Sequence, residues 1–135
     1  MKFLFLITGI WLYAAQTQTP NFIGMSKQDI IKVMGKSNPG FDLDEGAVNK
    51  TYKYIKFVDK YNEETWLFFL TDDDKCSRTK LISDFSNQKI RVEELNKKYK
   101  KAGENKWEFT ENGISYIVEL NKEEWFFTIV TKEKK

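Results

Sequence analysis

The sequence contains no histidine among its 135 residues and only one cysteine, Cys76. Histidine is the side chain most used to move protons near neutral pH, and it is the commonest nitrogen ligand of zinc. Its absence excludes a Ser-His-Asp triad, a Cys-His pair and an HExxH zinc site within this chain. A single cysteine excludes an internal disulfide, so burial and hydrogen bonding must hold the fold.

The sequence also lacks a strong excess of charge of one sign. Lysine and arginine number 22 and the acidic residues 20, which gives a formal net charge of +2. This balance gives no electrostatic reason to expect a nucleic-acid partner. Aromatic residues, in contrast, make up 16% of the chain, and most lie in runs typical of β-strands. We therefore expect one domain with a sheet-rich core.

Residues 1–18 have the pattern of a secretory signal peptide whose cleavage site the sequence does not fix. Lys2 supplies the positive start, residues 3–12 form an apolar run, and Ala14 and Ala15 are the small residues near a cut. The apolar run is short for a membrane span, and no cysteine stands near the junction to carry a lipid. We expect a periplasmic or secreted protein with no stable membrane anchor after signal removal.

The remaining residues, 19–135, carry a repeated pattern. Residues 52–71 (YKYIKFVDKYNEETWLFFLT) and 114–131 (ISYIVELNKEEWFFTIVT) each contain a Tyr-Ile pair, then a Glu-Glu pair, then a tryptophan. Each copy is typical of a β-hairpin, with the tryptophan opening its second strand. A short strand is predicted before each hairpin, at residues 41–46 and 107–113, and a further strand at residues 78–85.

Two helices complete the pattern. Residues 26–40 predict a compact helix with Ser26 as its N-cap, Asp29 in its first turn and Gly35 at its end. Residues 92–102 predict a second helix that Gly103 closes. Together the elements predict an α+β domain of two helix-plus-β-hairpin repeats, at about residues 22–85 and 86–135. The repeats would form one antiparallel sheet with the helices packed on one face.

The first helix also carries a short family signature. It consists of three groups, Gly24-Met25-Ser26, Gln28-Asp29-Ile30 and Val33-Met34-Gly35. This signature resembles that of small envelope proteins similar to SmpA/OmlA, the lipoprotein of the outer-membrane β-barrel assembly machinery. The tandem layout also resembles the β-lactamase inhibitor protein fold. The resemblance implies helices packed on an antiparallel sheet whose other face can be a binding surface.

Three groups of residues are candidate chemical sites. The adjacent pairs Glu63-Glu64 and Glu123-Glu124 supply carboxylates, but neighbouring residues on a strand point in opposite directions. The run Asp72-Asp73-Asp74 could bind a cation or simply form an acidic hairpin tip, and its lack of spacers favours the tip. Cys76 has basic neighbours, Lys75 and Arg78, but no histidine base. We therefore predict a non-catalytic protein without a cofactor or metal.

Tyrosine and tryptophan are enriched where proteins bind one another. The candidate binding residues are accordingly Tyr52, Tyr54, Trp66, Tyr116 and Trp125. For each tryptophan the alternative is a place in the core. The sequence thus predicts an exported binding module that contacts a protein partner through an aromatic sheet face. The alternative function is a carrier that holds a small apolar ligand in a pocket between sheet and helices.

Overall fold

The computed structural model describes residues 20–45 and 53–135. Within these ranges the chain is an α+β fold of two α-helices, one short 3-10 helix and eight strands. The elements in chain order are α1 (Lys27–Ser37), β1 (Asp42–Leu43), β2 (Tyr54–Asp59), β3 (Glu64–Leu70), β4 (Cys76–Ser83), the 3-10 helix (Phe85–Asn87), α2 (Gln88–Lys98), β5 (Lys100–Gly103), β6 (Lys106–Glu111), β7 (Ile114–Lys122) and β8 (Phe127–Glu133).

The eight strands form one antiparallel sheet in the order β1-β2-β3-β4-β8-β7-β6-β5. Neighbours along the chain pair with one another, and the pairing of β4 with β8 joins the two halves in the middle of the sheet. The predicted α+β class and antiparallel sheet are confirmed. Both predicted hairpins are also present, as β2–β3 and β7–β8.

Helix α1 follows its local sequence signals closely. Ser26 Oγ accepts a hydrogen bond of 3.2 Å from the Asp29 amide, which satisfies one of the free donors at the helix start. Ile30 and Met34, one turn apart, are completely buried and attach the helix to the core. The helix runs beyond Gly35 to Ser37, and its end is fixed by the Asn38 amide donating to the Met34 carbonyl at 3.0 Å.

The predicted bounds of the second helix were wrong. The helix begins at Gln88, directly after a 3-10 turn that Asp84 caps by accepting from the Ser86 amide at 2.9 Å. It ends at Lys98 because Tyr99 adopts an extended backbone and stacks its ring on Phe109. The following residues, Lys100–Gly103, form the edge strand β5 instead of a last helical turn.

The prediction that Trp125 opens a strand was also wrong. Lys122 pairs with Phe127 across β7 and β8, so the four residues between them form the turn. The Glu123 amide closes this turn by donating to the Phe126 carbonyl at 2.8 Å. Trp125 is consequently 77% exposed.

Alternation along the strands divides the sheet into two faces. We call the face that carries the buried apolar residues the core face; it includes Ile55, Phe57, Trp66, Phe68, Leu81, Trp107, Val118, Leu120, Phe127 and Ile129. Ile30 and Met34 of α1 and Val92 and Leu95 of α2 belong to the same hydrophobic cluster. The alternate strand residues form the outer face.

Cys76 is one of the buried residues of β4. Its thiol lies 3.5 Å from the Arg78 carbonyl oxygen, and burial raises its pKa to about 11 from an ordinary value of 9.0. A thiol with this pKa is protonated at neutral pH and is a poor nucleophile.

We expect the native protein to react with Ellman's reagent at pH 8 at least tenfold more slowly than the same protein unfolded in guanidinium, because the Cys76 thiol is buried and protonated. A matched control is Ser77→Cys in a Cys76→Ala background, since position 77 is exposed and should react at once. Because the pKa of Cys76 is higher in the folded than in the unfolded protein, the free energy of unfolding should also depend on pH. The contribution of the neutral thiol should be complete below about pH 9 and should be lost as the pH rises towards 11. Rapid labelling of native Cys76 would contradict this assignment.

Candidate functional site

The five aromatic residues predicted to bind a partner do not form one patch. Tyr54 lies half-buried on the outer face, whereas Trp66 and Tyr116 lie on the core face. Trp125 stands in the β7–β8 turn, and Tyr52 falls outside the described residues. The structure therefore separates these residues into different surroundings, and a binding role for each stays a prediction.

Trp66 lies in an aromatic cluster on the core face. Its ring centroid is 5.5 Å from that of Phe22, 5.7 Å from that of Phe41 and 5.4 Å from that of Phe68. Edge-to-face and stacked pairs at these distances stabilise a fold by about 0.5–1.5 kcal/mol each beyond simple burial. The indole is nevertheless only half-buried, because part of it borders a groove.

The groove has a volume of about 510 Å³, and residues of both helices and of three central strands line it. Its floor consists of core-face residues of three strands: Trp66 of β3, Thr79 and Leu81 of β4, and Ile129 and Thr131 of β8. Side chains of α2 form one wall, and the end of α1 contributes Ser37 and Asn38. The α2 wall consists of Arg91, Glu94, Leu95, Lys97, Lys98 and the following Tyr99.

An aromatic stack supports the Tyr99 side of the groove. The rings of Tyr99 and Phe109 are parallel within 16° at a centroid distance of 4.5 Å, and Phe109 stacks on Tyr116 at 4.9 Å. Tyr116, the last ring of this stack, is buried, with 6% of its surface exposed. Burial raises the pKa of Tyr99 to about 12, so its hydroxyl stays protonated and neutral at physiological pH.

Lys98 lies at the same side of the groove. Its ammonium nitrogen is 5.1 Å from the centroid of the Tyr99 ring, within the range of a cation–π contact. Burial lowers the pKa of Lys98, although Glu94 and Glu111 act in the opposite direction. The side chain thus carries its charge in partly desolvated surroundings.

A buried ion pair fixes α2 to β3 beside the groove. Arg91 donates from Nη2 to Glu64 Oε1 at 2.6 Å and from Nε to Glu64 Oε2 at 2.9 Å. Ser83 Oγ donates to Glu64 Oε2 at 2.9 Å, and Asn87 Nδ2 donates in turn to Ser83 Oγ at 3.1 Å. Glu64 is only 5% exposed, so this network surrounds its carboxylate almost completely.

The adjacent glutamates of the sequence have different surroundings. Glu63 is exposed in the β2–β3 turn with a φ of 54°, whereas Glu64 is buried, and both Glu123 and Glu124 are exposed. A carboxylate pair from separate strands does exist, because buried Asp59 lies directly across from Glu64. Its partner is Asn62, which donates to Asp59 from its amide nitrogen at 3.0 Å and from Nδ2 at 2.7 Å.

Both carboxylates of this cross-strand pair accept hydrogen bonds from other groups of the protein. Burial alone would raise the pKa of Asp59, but hydrogen bonds from Asn62 and the charge of Arg91 hold it below its ordinary value. Glu64 is taken up by Arg91 and Ser83. Neither carboxylate lines the groove. We interpret the pair as structural.

The acidic run expected at a hairpin tip lies in the β3–β4 turn, where Asp72, Asp73 and Asp74 are all exposed. Asp74 Oδ1 is 2.6 Å from Lys53 Nζ. Nowhere in residues 20–45 and 53–135 do three or more acidic, cysteine or histidine side chains converge as they would around a metal ion.

The outer face carries a second cluster of aromatic and charged residues. The rings of Tyr54 and Phe69 are cross-strand partners with centroids 6.1 Å apart, and Arg78 Cζ lies 4.3 Å from the Phe69 centroid. Arg78 pairs across β4 and β8 with Lys132, and Lys80 is the next outer-face residue along β4. We call this set the Phe69 patch: Tyr54, Phe69, Arg78, Lys80 and Lys132.

The Phe69 patch has an unbalanced charge. The outer-face positions of strands β2, β3, β4 and β8 carry four cations and no acid; they are Tyr54, Lys56, Val58, Thr65, Leu67, Phe69, Arg78, Lys80, Ile82, Thr128, Val130 and Lys132. Lys56 has a carboxylate neighbour at the sheet edge, Asp44, at 3.5 Å. Acids on the same face belong to the flanking strands, Asp42 opposite Val58 and Glu119 opposite Val130, so the excess of positive charge is confined to the four strands of this band.

No family model matches the chain, and no curated protein or solved structure is significantly similar to it. The resemblance to SmpA/OmlA-like and β-lactamase inhibitor-like proteins thus stays a prediction. No helix within residues 20–45 and 53–135 is long and apolar enough to cross a membrane. The candidate sites of the described residues are the groove and the Phe69 patch.

We expect Arg91→Met to lower the free energy of unfolding by about 3 kcal/mol, because it leaves the Glu64 carboxylate buried without its countercharge. The matched control is Glu94→Gln, which removes the exposed partner that Arg91 contacts at 3.2 Å and should cost less than about 1 kcal/mol. Urea denaturation of the three proteins measures both effects. Equal losses in the two variants would contradict the central place of the Glu64–Arg91 pair.

Proposed function

We propose that the two halves of the chain are copies of one unit, a helix followed by four antiparallel strands. The element order supports this, because α1 precedes β1–β4 and α2 precedes β5–β8, with the last strand of each set meeting in the middle of the sheet. In this layout β2–β3 corresponds to β6–β7, whereas the sequence pattern matches β2–β3 with β7–β8. The repeated sequence pattern would then be offset by one strand from the repeated structural unit.

We also propose that both helices cover the core face and leave the outer face open. The groove supports this, since residues of both helices line it together with core-face residues of β3, β4 and β8. Under this proposal the Phe69 patch lies near the middle of an uncovered sheet. Its side chains are partly or largely exposed, although Tyr54 and Phe69 are aromatic.

We infer that the protein is a non-catalytic binding module whose Phe69 patch binds an acidic surface of another protein. The observation that carries this inference is the stacking of Arg78 on Phe69 within a band of four cations and no acid. Arginine and tyrosine are among the residues that contribute most to protein interfaces. The stacking of Arg78 on Phe69 already holds the guanidinium in place, which lowers the entropy cost of binding.

The charge arrangement favours an acidic partner over a neutral one. Arg78 and Lys132 lie directly opposite one another, and like charges at such positions destabilise a sheet. An acidic partner would remove this repulsion and would also be attracted from a distance. The signal-peptide pattern of residues 1–18 supports binding in the periplasm or outside the cell. An intact Met1 in protein isolated from its native host would contradict that location.

We expect the double charge reversal Arg78→Glu/Lys132→Glu to weaken capture of an acidic protein from envelope or culture-medium extracts at least tenfold. The reason is that close charge pairs at interfaces contribute about 1.5 kcal/mol or more. The measurement compares immobilised wild type and variant by quantitative mass spectrometry, with binding that falls as salt is raised.

The matched control is Lys60→Glu/Lys122→Glu, which makes the same change in net charge at exposed positions outside the Phe69 patch. It should retain the captured protein. Equal loss in the control would show that net charge alone was responsible and would overturn the proposal. Capture of nucleic acid or lipid instead of an acidic protein would also overturn it.

A further inference from the structure

The groove on the core face has the properties of a preformed small-molecule site. Its volume of about 510 Å³ lies within the range of about 300–1,000 Å³ that is typical of ligand pockets. The aromatic residues at its sides are held by their neighbours: Trp66 stacks on Phe68 at 5.4 Å, and Tyr99 stacks on Phe109 at 4.5 Å. A ligand would therefore meet walls that need little ordering.

The lining is amphipathic. Trp66, Leu81 and Ile129 give the floor an apolar surface, and Leu95 adds to it from α2. Thr79 and Thr131 are directly paired across β4 and β8, so two threonine side chains lie side by side at the floor. Such a site accommodates a molecule with an apolar body and a polar group that accepts hydrogen bonds.

The charges of the lining have a net positive sign. Arg91 and Glu94 are bonded to one another at 3.2 Å, and Arg91 also neutralises Glu64. Lys97 and Lys98 add two more positive charges on the same wall, and Lys98 also interacts with the charges of Glu94 and Glu111. An anionic group entering the groove would complement these charges, most strongly near Lys98, whose pKa is lowered by partial burial.

We propose that the groove binds a small amphiphilic carboxylate, with its hydrocarbon part against Trp66, Leu81 and Ile129 and its carboxylate near Lys97 and Lys98. The hydroxyls of Thr79 and Thr131 are further donors on the floor. This site lies on the core face and uses no residue of the Phe69 patch, so it stands apart from the proposed protein-binding surface. The proposal names a ligand class, an amphiphilic carboxylate, for the carrier function that the sequence predicts as an alternative.

Isothermal titration calorimetry with dodecanoate and 1-dodecanol, both kept below the concentrations at which they aggregate, tests the proposal on the purified full-length protein. We expect saturable dodecanoate binding that is at least tenfold tighter than dodecanol binding. Lys97→Gln/Lys98→Gln should reduce the affinity for dodecanoate to that for dodecanol. The matched control, Lys100→Gln/Lys101→Gln on the exposed edge strand β5, should leave both affinities unchanged.

A filling variant tests the location of the site. Thr131→Trp places a large side chain on the groove floor and should weaken dodecanoate binding at least tenfold, whereas Thr110→Trp, at an exposed position of β6, should not. Circular dichroism and urea denaturation check that both variants fold. Equal affinity for acid and alcohol, no saturable binding, or undiminished binding by folded Thr131→Trp would overturn the proposal. Arg78→Glu/Lys132→Glu should still bind dodecanoate, because neither residue lines the groove. This variant therefore distinguishes failure of the ligand site from failure of the protein-binding patch.

Discussion

The ion pair between Glu64 and Arg91 is the contact on which the arrangement of α2 depends. Helix α2 contains no buried residue, and Ile90, its most apolar side chain, is 59% exposed. Val92 and Leu95 pack against the core but are only partly buried, so apolar burial attaches α2 less firmly than Ile30 and Met34 attach α1. Specific side-chain contacts at two points along the helix and one just beyond its end complete the attachment.

These three contacts hold different parts of the helix. Arg91 forms two hydrogen bonds with Glu64 near the start, and Asn96 accepts a hydrogen bond of 2.9 Å from the buried Trp107 indole further along. Tyr99 then stacks on Phe109 just beyond the helix end. Burying a charge pair has a desolvation cost, so this attachment sets position and orientation more than it adds stability. Because α2 supplies one wall of the groove, the shape of the groove follows from these contacts.

Much of the architecture could be predicted from the sequence because it depends on local patterns. The β2–β3 and β7–β8 hairpins follow from alternation and turn residues, and the start of α1 follows from Ser26 and Asp29. The end of α2 could not be predicted in this way. A run of lysines is compatible with a helix, and the stack that pulls Tyr99 out of it involves a strand further along the chain.

The candidate sites were less predictable because they depend on contacts between distant residues. Glu64 follows another glutamate in an apparent polar turn, and its partner Arg91 is 27 residues away, so no local signal indicates a buried carboxylate. The roles of the aromatic residues depend on register: Trp66 borders the groove, while Trp125 lies in a turn. Phe69 and Arg78 lie on separate strands, and only the pairing of β3 with β4 shows that their side chains stack.

Hydrogen–deuterium exchange of the Arg91→Met protein tests most directly whether polar contacts hold α2 in place. We expect exchange of the amides of residues 88–98 to accelerate at least tenfold more than exchange of the α1 amides, because α2 loses its attachment in addition to the general loss of stability. Equal acceleration in both helices would indicate a general loss of stability, and unchanged protection of α2 would show that the helix is held by something else. Either result would contradict the account.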